Sequence, residues 1–418
     1  MPASLSTRKT VPEIVRASYM AATGAVSLLT HFDDATGETE ESMAEPLKHL
    51  IAPQTARDTA AALSRAFPDF AERDFLAAVL PKIEALELMQ RGQLIADALR
   101  QSLPQDFDKA APILRACLPQ GGRGGQGGLS GWALLSFNQY IAAHGLDHVE
   151  IALDLLKALT PHFTAEFGIR PFIHREQQKA LSIISGWTGD PNHHVRRLAS
   201  EGTRPRLPWA MRLPALVSDP APILPILTAL IDDSEDYVRR SVANSLNDIA
   251  KDHPDLAADF VASHHPGASP ERLWLLKHAS RTLLKKGHQA ALANFGFRPL
   301  DGVAASLTLE SADIAFPGQL AFLVGLTNAT PEPQQVMLDY AIHHRMKDGS
   351  LRPKVFKGKS LMLAPGGEAT VDKRHAFRPI TTRVYYPGEH GLEILVNGAS
   401  LANASFTLAA PVSKQEDR

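Results

Sequence analysis

Residues 195–212 read VRRLASEGTRPRLPWAMR, where five arginines (Arg196, Arg197, Arg204, Arg206 and Arg212) accompany a single acid, Glu201. The segment carries +4, although the whole chain, with 43 Lys and Arg against 45 Asp and Glu, carries −2. Guanidinium forks match phosphate oxygens, and released counterions drive binding, so this density suits a nucleic-acid backbone. A solvated helix face with surface ion pairs is the plainer alternative. Glu201 stands directly before Gly202, where a helix is expected to stop. A carboxylate at the negative end of a helix dipole is unfavourable by ~0.3–1 kcal/mol, which invites a functional reason for it. The run Arg204-Pro205-Arg206-Leu207-Pro208-Trp209 then stiffens the backbone with two prolines. An exposed Trp209 would offer a stacking face, and a buried one would simply fill a core.

Two further stretches carry candidate groups. Residues 163–172 set one carboxylate, Glu166, among aromatic and aliphatic residues. Burial there raises a carboxyl pKa unless a cation such as arginine stands near. Asn244, Asn247 and Asp248, at i, i+3 and i+4, share one helix face that either lines the same groove or forms a buried polar ladder. Other motifs fail. Gly122-x-Gly124-x-x-Gly127 has neither the preceding strand nor the βαβ unit of a dinucleotide site. The adjacent pairs His193-His194, His264-His265 and His343-His344 lack metal-ligand spacing.

These groups need elements to hold them. From about residue 45 to 299 the pattern is helical, with Ala85, Leu88, Met89, Ile95 and Leu99 along one stripe. Prolines at 104, 112, 119, 161, 171, 191, 208, 220, 254, 266 and 270 fall between such stretches and punctuate short helices. The repeat DPNHHVRRLA (190–199) and DSEDYVRRSVA (233–243) sets two Val-Arg-Arg triplets 43 residues apart. That period is the one of two-helix HEAT-type units, which stack to share a core. Residues 272–277 form a looser third copy, and a non-repetitive bundle is the alternative. From about 300 to 411 the period becomes two: Leu320/Phe322/Val324/Leu326, Val336/Leu338/Tyr340/Ile342, Thr382/Val384/Tyr386 and Leu392/Ile394/Val396. Turn signals at Asp348-Gly349, Pro365-Gly366-Gly367, Pro387-Gly388 and Asn397-Gly398 separate about seven strands. The expected fold is therefore mainly α, a helical-repeat solenoid followed by an immunoglobulin-like β-sandwich. Residues 1–44 read as an ill-defined leader, 121–131 as a flexible linker and 412–418 as a tail. The one cysteine, Cys117, excludes an internal disulfide. No apolar run approaches the ~20 residues of a spanning helix, and no secretion signal stands out, so a cytoplasmic protein is expected.

FTAEFGIRPFI (163–173), DPNHHVRRLASEGTRPRLPWAMRL (190–213) and VRRSVANSLNDIAKDHP (238–254) resemble the AlkC-type DNA alkylation repair glycosylases. These are HEAT-like repeat enzymes similar to the AlkD group, and one branch carries a C-terminal immunoglobulin-like domain. LELMQRGQLIADAL (86–99) also fits, whereas the leader and the glycine-dense insert depart from the pattern. The resemblance implies excision of N3-alkylated bases, 3-methyladenine and 3-methylcytosine, from double-stranded DNA without full base flipping. By motif it assigns catalytic roles to Glu201, Glu166, Trp209 and Asp248, with Arg197 beside them. Arg196, Arg204, Arg206, Arg239, Arg240 and Asn244 are the expected DNA contacts in the solenoid.

The chemistry fits that assignment. Alkylation at N3 leaves the base cationic, so it departs without a general acid, and an oxocarbenium-like sugar develops. A carboxylate at about 4 Å, at an effective dielectric of roughly 20, stabilises that charge by ~4 kcal/mol. Glu201 with Glu166 can also orient the attacking water, and Trp209 can lie against the deoxyribose or the lesion. No metal or organic cofactor is implied, and no lysine stands out as a Schiff-base nucleophile, so hydrolysis to an abasic site is expected. In the sandwich, Lys347, Arg352, Lys354, Lys357 and Lys359 cluster about a turn and are expected to grip the duplex, unless the domain is only an appendage. The protein is expected to act as a monomer away from membranes. The competing reading is a non-catalytic scaffold that binds DNA or a protein.

Overall fold

The two Val-Arg-Arg copies lie on the helices His193–Glu201 and Asp236–Asp252, which pack against each other. Both bury the apolar positions of the repeat: Val195 and Leu198 on one, Val238 and Val242 on the other. The first arginine of each copy folds back on the turn before its own helix. Arg196 Nη1 donates to the carbonyls of Asp190 (3.0 Å) and Pro191 (3.2 Å). Arg239 Nη1 donates to the equivalent carbonyls of Asp233 (2.5 Å) and Ser234 (2.9 Å). The repeat is thus a repeat of hydrogen bonds as well as of letters.

The computed structural model describes residues 47–119, 128–298, 300–380 and 383–410, and holds sixteen α-helices and eight strands among them. The leader, the tail, Thr382 and residues 121–127 of the glycine-dense segment, with its failed dinucleotide motif, lie outside the described residues. The chain forms two compact units, one up to Asp252 and one from His253 onward. Helix gives way to strand between Ala293 and Val303, near the expected change at 300. The helices between Pro254 and Ala293 nevertheless belong to the same compact unit as the strands.

In the first unit, the helix Leu134–His144 is buried along nearly its whole length, Leu134 through Ala142. Its polar side chains therefore need partners. Asn138 Nδ2 donates to the carbonyl of Thr164 (3.3 Å), and Gln139 Nε2 to that of Met89 (3.2 Å). Most of the punctuating prolines lie in loops and turns or, at Pro171, Pro254 and Pro270, open helices. Pro112 instead lies inside the helix Phe107–Ala116, where burial of Phe107, Ala110, Ala111 and Leu114 outweighs the lost backbone bond.

The second unit carries strands β1 (Val303–Leu309), β2 (Asp313–Ile314), β3 (Gly318–Asn328), β4 (Gln334–Arg345), β5 (Leu351–Leu363), β6 (Glu368–Phe377), β7 (Gly388–Val396) and β8 (Ala399–Leu408). They form two sheets, β1-β3-β6 and β2-β8-β7-β4-β5, antiparallel except for β2 with β8. The alternating residues of β3, β4 and β7 face a shared core, from Leu320 to Val396, as their period requires. Among the described residues, the expected strand through Val384 does not form. Ile380 and Arg383 make one isolated bridge, Val384 is 70% exposed, and Tyr385 instead packs on Phe377 (ring centroids 5.5 Å apart). The inward phase there is odd, opposite to the alternation read from the letters. β5 ends its sheet, so Arg352, Lys354, Lys357 and Lys359 decorate an edge strand, where lysines also discourage edge-to-edge pairing.

Candidate active site

The loop between the helices Val149–Leu159 and Arg170–Arg175 carries Glu166, and two buried polar groups pin it. Asn138 holds the Thr164 carbonyl, and the Thr160 hydroxyl accepts from the backbone N–H of Ala165 (3.3 Å). Glu166 then accepts hydrogen bonds from the Thr164 hydroxyl (2.9 Å) and from Arg197 Nη1. The cation expected beside this carboxylate is therefore Arg197. The same guanidinium lies over the ring of Tyr237, 5.1 Å from its centroid. Burial works against the Arg197 charge, but Glu166 and Glu201 outweigh it and hold its pKa above the ordinary arginine value.

Glu201 ends the helix His193–Glu201 and is 6% exposed. Its unfavourable place at the helix terminus is offset by three neighbours. Arg204 Nη1 donates to Oε1 (2.6 Å), Arg197 Nη2 stands 3.5 Å from Oε1, and the Ser241 hydroxyl donates to Oε2 (2.7 Å). Ser200 Oγ lies 2.7 Å behind Ser241 Oγ, which extends the chain of hydroxyls. Gly202 does not stop the helix by a left-handed turn: its φ is −69°. A side chain there would meet Ile169 Cδ1 at 2.2 Å, so glycine serves close packing instead.

Arg204 bridges Glu201 to Asp248, with Nε 2.8 Å from Asp248 Oδ2, and Lys251 Nζ binds Asp248 Oδ1 at 2.8 Å. Asp248 is 1% exposed, so of the two readings of its helix face the buried polar ladder holds for Asp248 and Asn247, while Asn244 is half-buried. Beneath the following loop sits Arg170, wholly buried, which no motif had singled out. Its Nε donates to the Met211 carbonyl (2.7 Å), and its Nη1 to those of Gly202 (2.9 Å) and Arg204 (2.8 Å). Burial, aided by neighbouring Arg204, pushes its pKa down to about 9, which leaves it charged at neutral pH. Three carbonyls on one guanidinium fix the course of residues 202–211, the loop that presents Trp209.

Trp209 takes a left-handed backbone conformation, φ 63°, costly for a large residue and kept only where the surroundings demand it. It is half-buried and lines a cavity of about 310 Å³. Glu166, Glu201 and Arg204 meet Trp209, Trp132, Phe163 and Phe167 around that space. Trp132 packs against Phe163 with ring centroids 5.2 Å apart. The arrangement is two anchored carboxylates set in an aromatic-walled pocket. Asp248 stands one layer behind, touching Arg204 rather than the space.

The remaining expected contacts scatter. Arg196, expected on phosphate, is committed within the fold: Nε and Nη2 grip Asp233 at 2.6 and 2.9 Å, besides the two carbonyls on Nη1. Arg239 is spent likewise on its own turn. Arg206 is clamped to Asp252 by two bonds (2.6 and 2.7 Å), and exposed Arg240 bonds Asp236 at 2.7 Å. Lys354 and Lys357 are exposed on β5. Ser241 had a legible signal: it occupies the repeat position of Leu198, a hydroxyl where the other copy is apolar. Among the described residues no group of His, Cys, Asp and Glu is arranged to hold a metal ion, and no helix is long and apolar enough to cross a membrane.

A family model described as DNA alkylation repair enzyme matches residues 161–283, which contain Glu166, Arg170, Glu201, Trp209 and Asp248. A second, described as the C-terminal Ig-like domain of the uncharacterised protein YhaZ, matches residues 303–410. The uncharacterized protein YhaZ of Bacillus subtilis (strain 168) is 38% identical over 334 residues, 79% of this chain and 90% of its own. Among solved structures, the Pseudomonas fluorescens alkylpurine DNA glycosylase AlkC, bound to DNA containing an abasic site analog, superposes with a TM-score of 0.76 at 34% identity. That match covers 87% of this chain and 100% of the other. The chain belongs to the DNA alkylation repair enzymes, as an AlkC/YhaZ-type protein with a C-terminal Ig-like domain.

Proposed function

We propose that this protein is a monofunctional DNA glycosylase that excises cationic N3-alkylated bases, 3-methyladenine and 3-methylcytosine, from double-stranded DNA without full base flipping. The observation that carries the reading is the pair of fixed carboxylates, Glu166 and Glu201, on one aromatic-walled cavity. As the glycosidic bond lengthens, positive charge grows on the sugar and an anion held in advance stabilises it without reorganising. The partners of Glu201 hold it immobile. They also share its charge, so the ~4 kcal/mol of an isolated carboxylate is a ceiling on its effect. Glu166, tied to Arg197, can hold the attacking water, and the ring of Trp209 can cover the deoxyribose or the cationic base. Arg197 and Arg204 position the carboxylates, and Asp248 acts through Arg204. The Pseudomonas neighbour is an alkylpurine DNA glycosylase, and its bound DNA supports DNA as the ligand here. Lys354 and Lys357 are the proposed duplex contacts of the second unit.

The deciding experiment is release of free base from duplexes carrying one lesion each. Wild type should release 3-methyladenine, and Glu201→Gln, which keeps size and removes charge, should lose about a thousandfold in rate at most. Full activity in Glu201→Gln removes the electrostatic role. Duplex binding without any base release by wild type supports the scaffold reading instead.

A further inference from the structure

In the second unit, strand β4 pairs with β5 through a bulge. Leu338 faces Lys359 and Asp339 faces Lys357, so Gly358 is the extra residue. A side chain at Gly358 would fall 2.2 Å from the Leu338 carbonyl, and its N–H instead donates to Asp339 Oδ1 at 3.0 Å. The bulge bends β5 and forms one wall of a cavity of about 240 Å³. The helices Pro270–Ala279 and Arg281–Lys285 supply the other wall.

Lys277, Arg281, Lys285, Lys357 and Lys359 all line this space, over a floor that includes Leu284, Phe297 and Met337. The single acid there is Asp339, 8% exposed, whose pKa burial raises despite its Gly358 hydrogen bond and the nearby Lys357 and Lys285. Lys277, Lys285, Lys357 and Lys359 form no ion pair among the described residues, unlike Arg196, Arg197, Arg204 and Arg206 of the first unit. Like charges gathered on one concavity repel, and a low-dielectric floor sharpens their field. An arrangement of this kind is stabilised when a multiply charged anion enters.

We propose that this cavity binds a phosphate group, the lysine ammoniums surrounding its oxygens and the apolar floor receiving the carbon skeleton that bears it. The group could belong to a free nucleotide or to a nucleic-acid backbone, and both present the same oxygens. The assignment does not depend on base excision.

The test uses the full chain at low salt, by titration calorimetry with inorganic phosphate and with a nucleoside monophosphate. Wild type should bind at one saturable site, Lys285→Ser with Lys357→Ser should weaken it at least about tenfold, and Lys82→Ser, an exposed lysine of the first unit that does not line the cavity, should change nothing. If neither small anion binds, duplex binding is measured against salt. Weaker binding with a shallower salt slope in the double variant, but not in Lys82→Ser, identifies the backbone as the source. Unaltered small-anion and duplex binding in the double variant overturns the site. Because no readout is base release, failure here and failure of the glycosylase reading are separable.

Discussion

Two clusters of positive charge behave in opposite ways. The arginines of the first unit are dense in sequence, yet most meet an acid: Arg196 meets Asp233, Arg197 Glu166, Arg204 both Glu201 and Asp248, and Arg206 Asp252. Arg212 is exposed and meets no acid among the described residues. The lysines around the β5 bulge come from segments about 80 residues apart in the chain, and their charge is left uncompensated. The first cluster is therefore machinery for holding carboxylates still, and the second is a field aimed at something absent from the fold. Charge density along a sequence measures neither; what decides is whether a partner stands across the packing interface.

If the arginines are internal machinery, removing them should cost folding stability. Arg170→Met leaves the carbonyls of Met211, Gly202 and Arg204 without their donor. Bonds to a charged group contribute about 1.5–3 kcal/mol each, so chemical denaturation should show a loss of about 4 kcal/mol or more. Arg170→Lys should recover part of it, since an ammonium keeps the charge but not the fork. Arg204→Met comes next, leaving Glu201 and Asp248 buried without their shared cation, at about 3–5 kcal/mol. Adding Asp248→Asn to Arg204→Met should cost less than the two single losses together, which a double-mutant cycle reads directly. Near-zero cost for either arginine would place both in solvent and undo the contrast.

How much of this was legible follows from the range over which each force acts. The 43-residue repeat and the two-residue alternation of β3, β4 and β7 are local patterns, and the fold obeys them. Glu166, Glu201 and Trp209 were visible as oddities: a carboxylate in apolar company, another at the wrong end of a helix, a tryptophan between prolines. They share one cavity. The partners were not visible, because Asp233, Asp248 and Asp252 lie 37 to 46 residues from the arginines they bind. Arg170 was hidden for the same reason: its three acceptors are backbone carbonyls, which every sequence has. Val384 misled because three alternating residues fix no phase when a neighbour such as Tyr385 offers the larger side chain to bury.

Acid sharpens the comparison from the side of the sandwich. His344, His375 and His390 are buried together with Tyr340 and Phe377, with the half-buried Tyr385 against His344, in the same unit as the lysines. Burial first, then Arg383, with His390, His375 and Lys354 adding to it, pushes His344 down to about 3. Burial, Arg383 and Lys354 push His375 down to about 4, and burial lowers His390. The unfolded chain takes up these protons near its ordinary histidine value, whereas the folded domain resists until far lower pH. The stability they contribute is therefore full above about pH 6.5 and is lost as pH falls toward 4, by about 1 kcal/mol per unit for each histidine. Urea midpoints from pH 7.5 to 4.5 should fall for the second unit, and His344→Gln should flatten the slope. A midpoint independent of pH would mean that the histidines are already charged in the fold.

The smallest effect is the most telling. Lys285→Ser and Lys357→Ser remove exposed cations that hold no acid within salt-bridge distance, so each should change unfolding free energy by no more than about 0.5 kcal/mol. A slight gain is the physical expectation, since each removal relieves repulsion from the other cations on the cavity. Raising salt should shrink that gain in the wild-type background by screening the same repulsion, whereas the buried Arg204 pairs should barely respond. A clear loss of stability in either lysine variant would show that the lysine is already bound within the fold, and the distinction between held and unsatisfied charge would have to be redrawn.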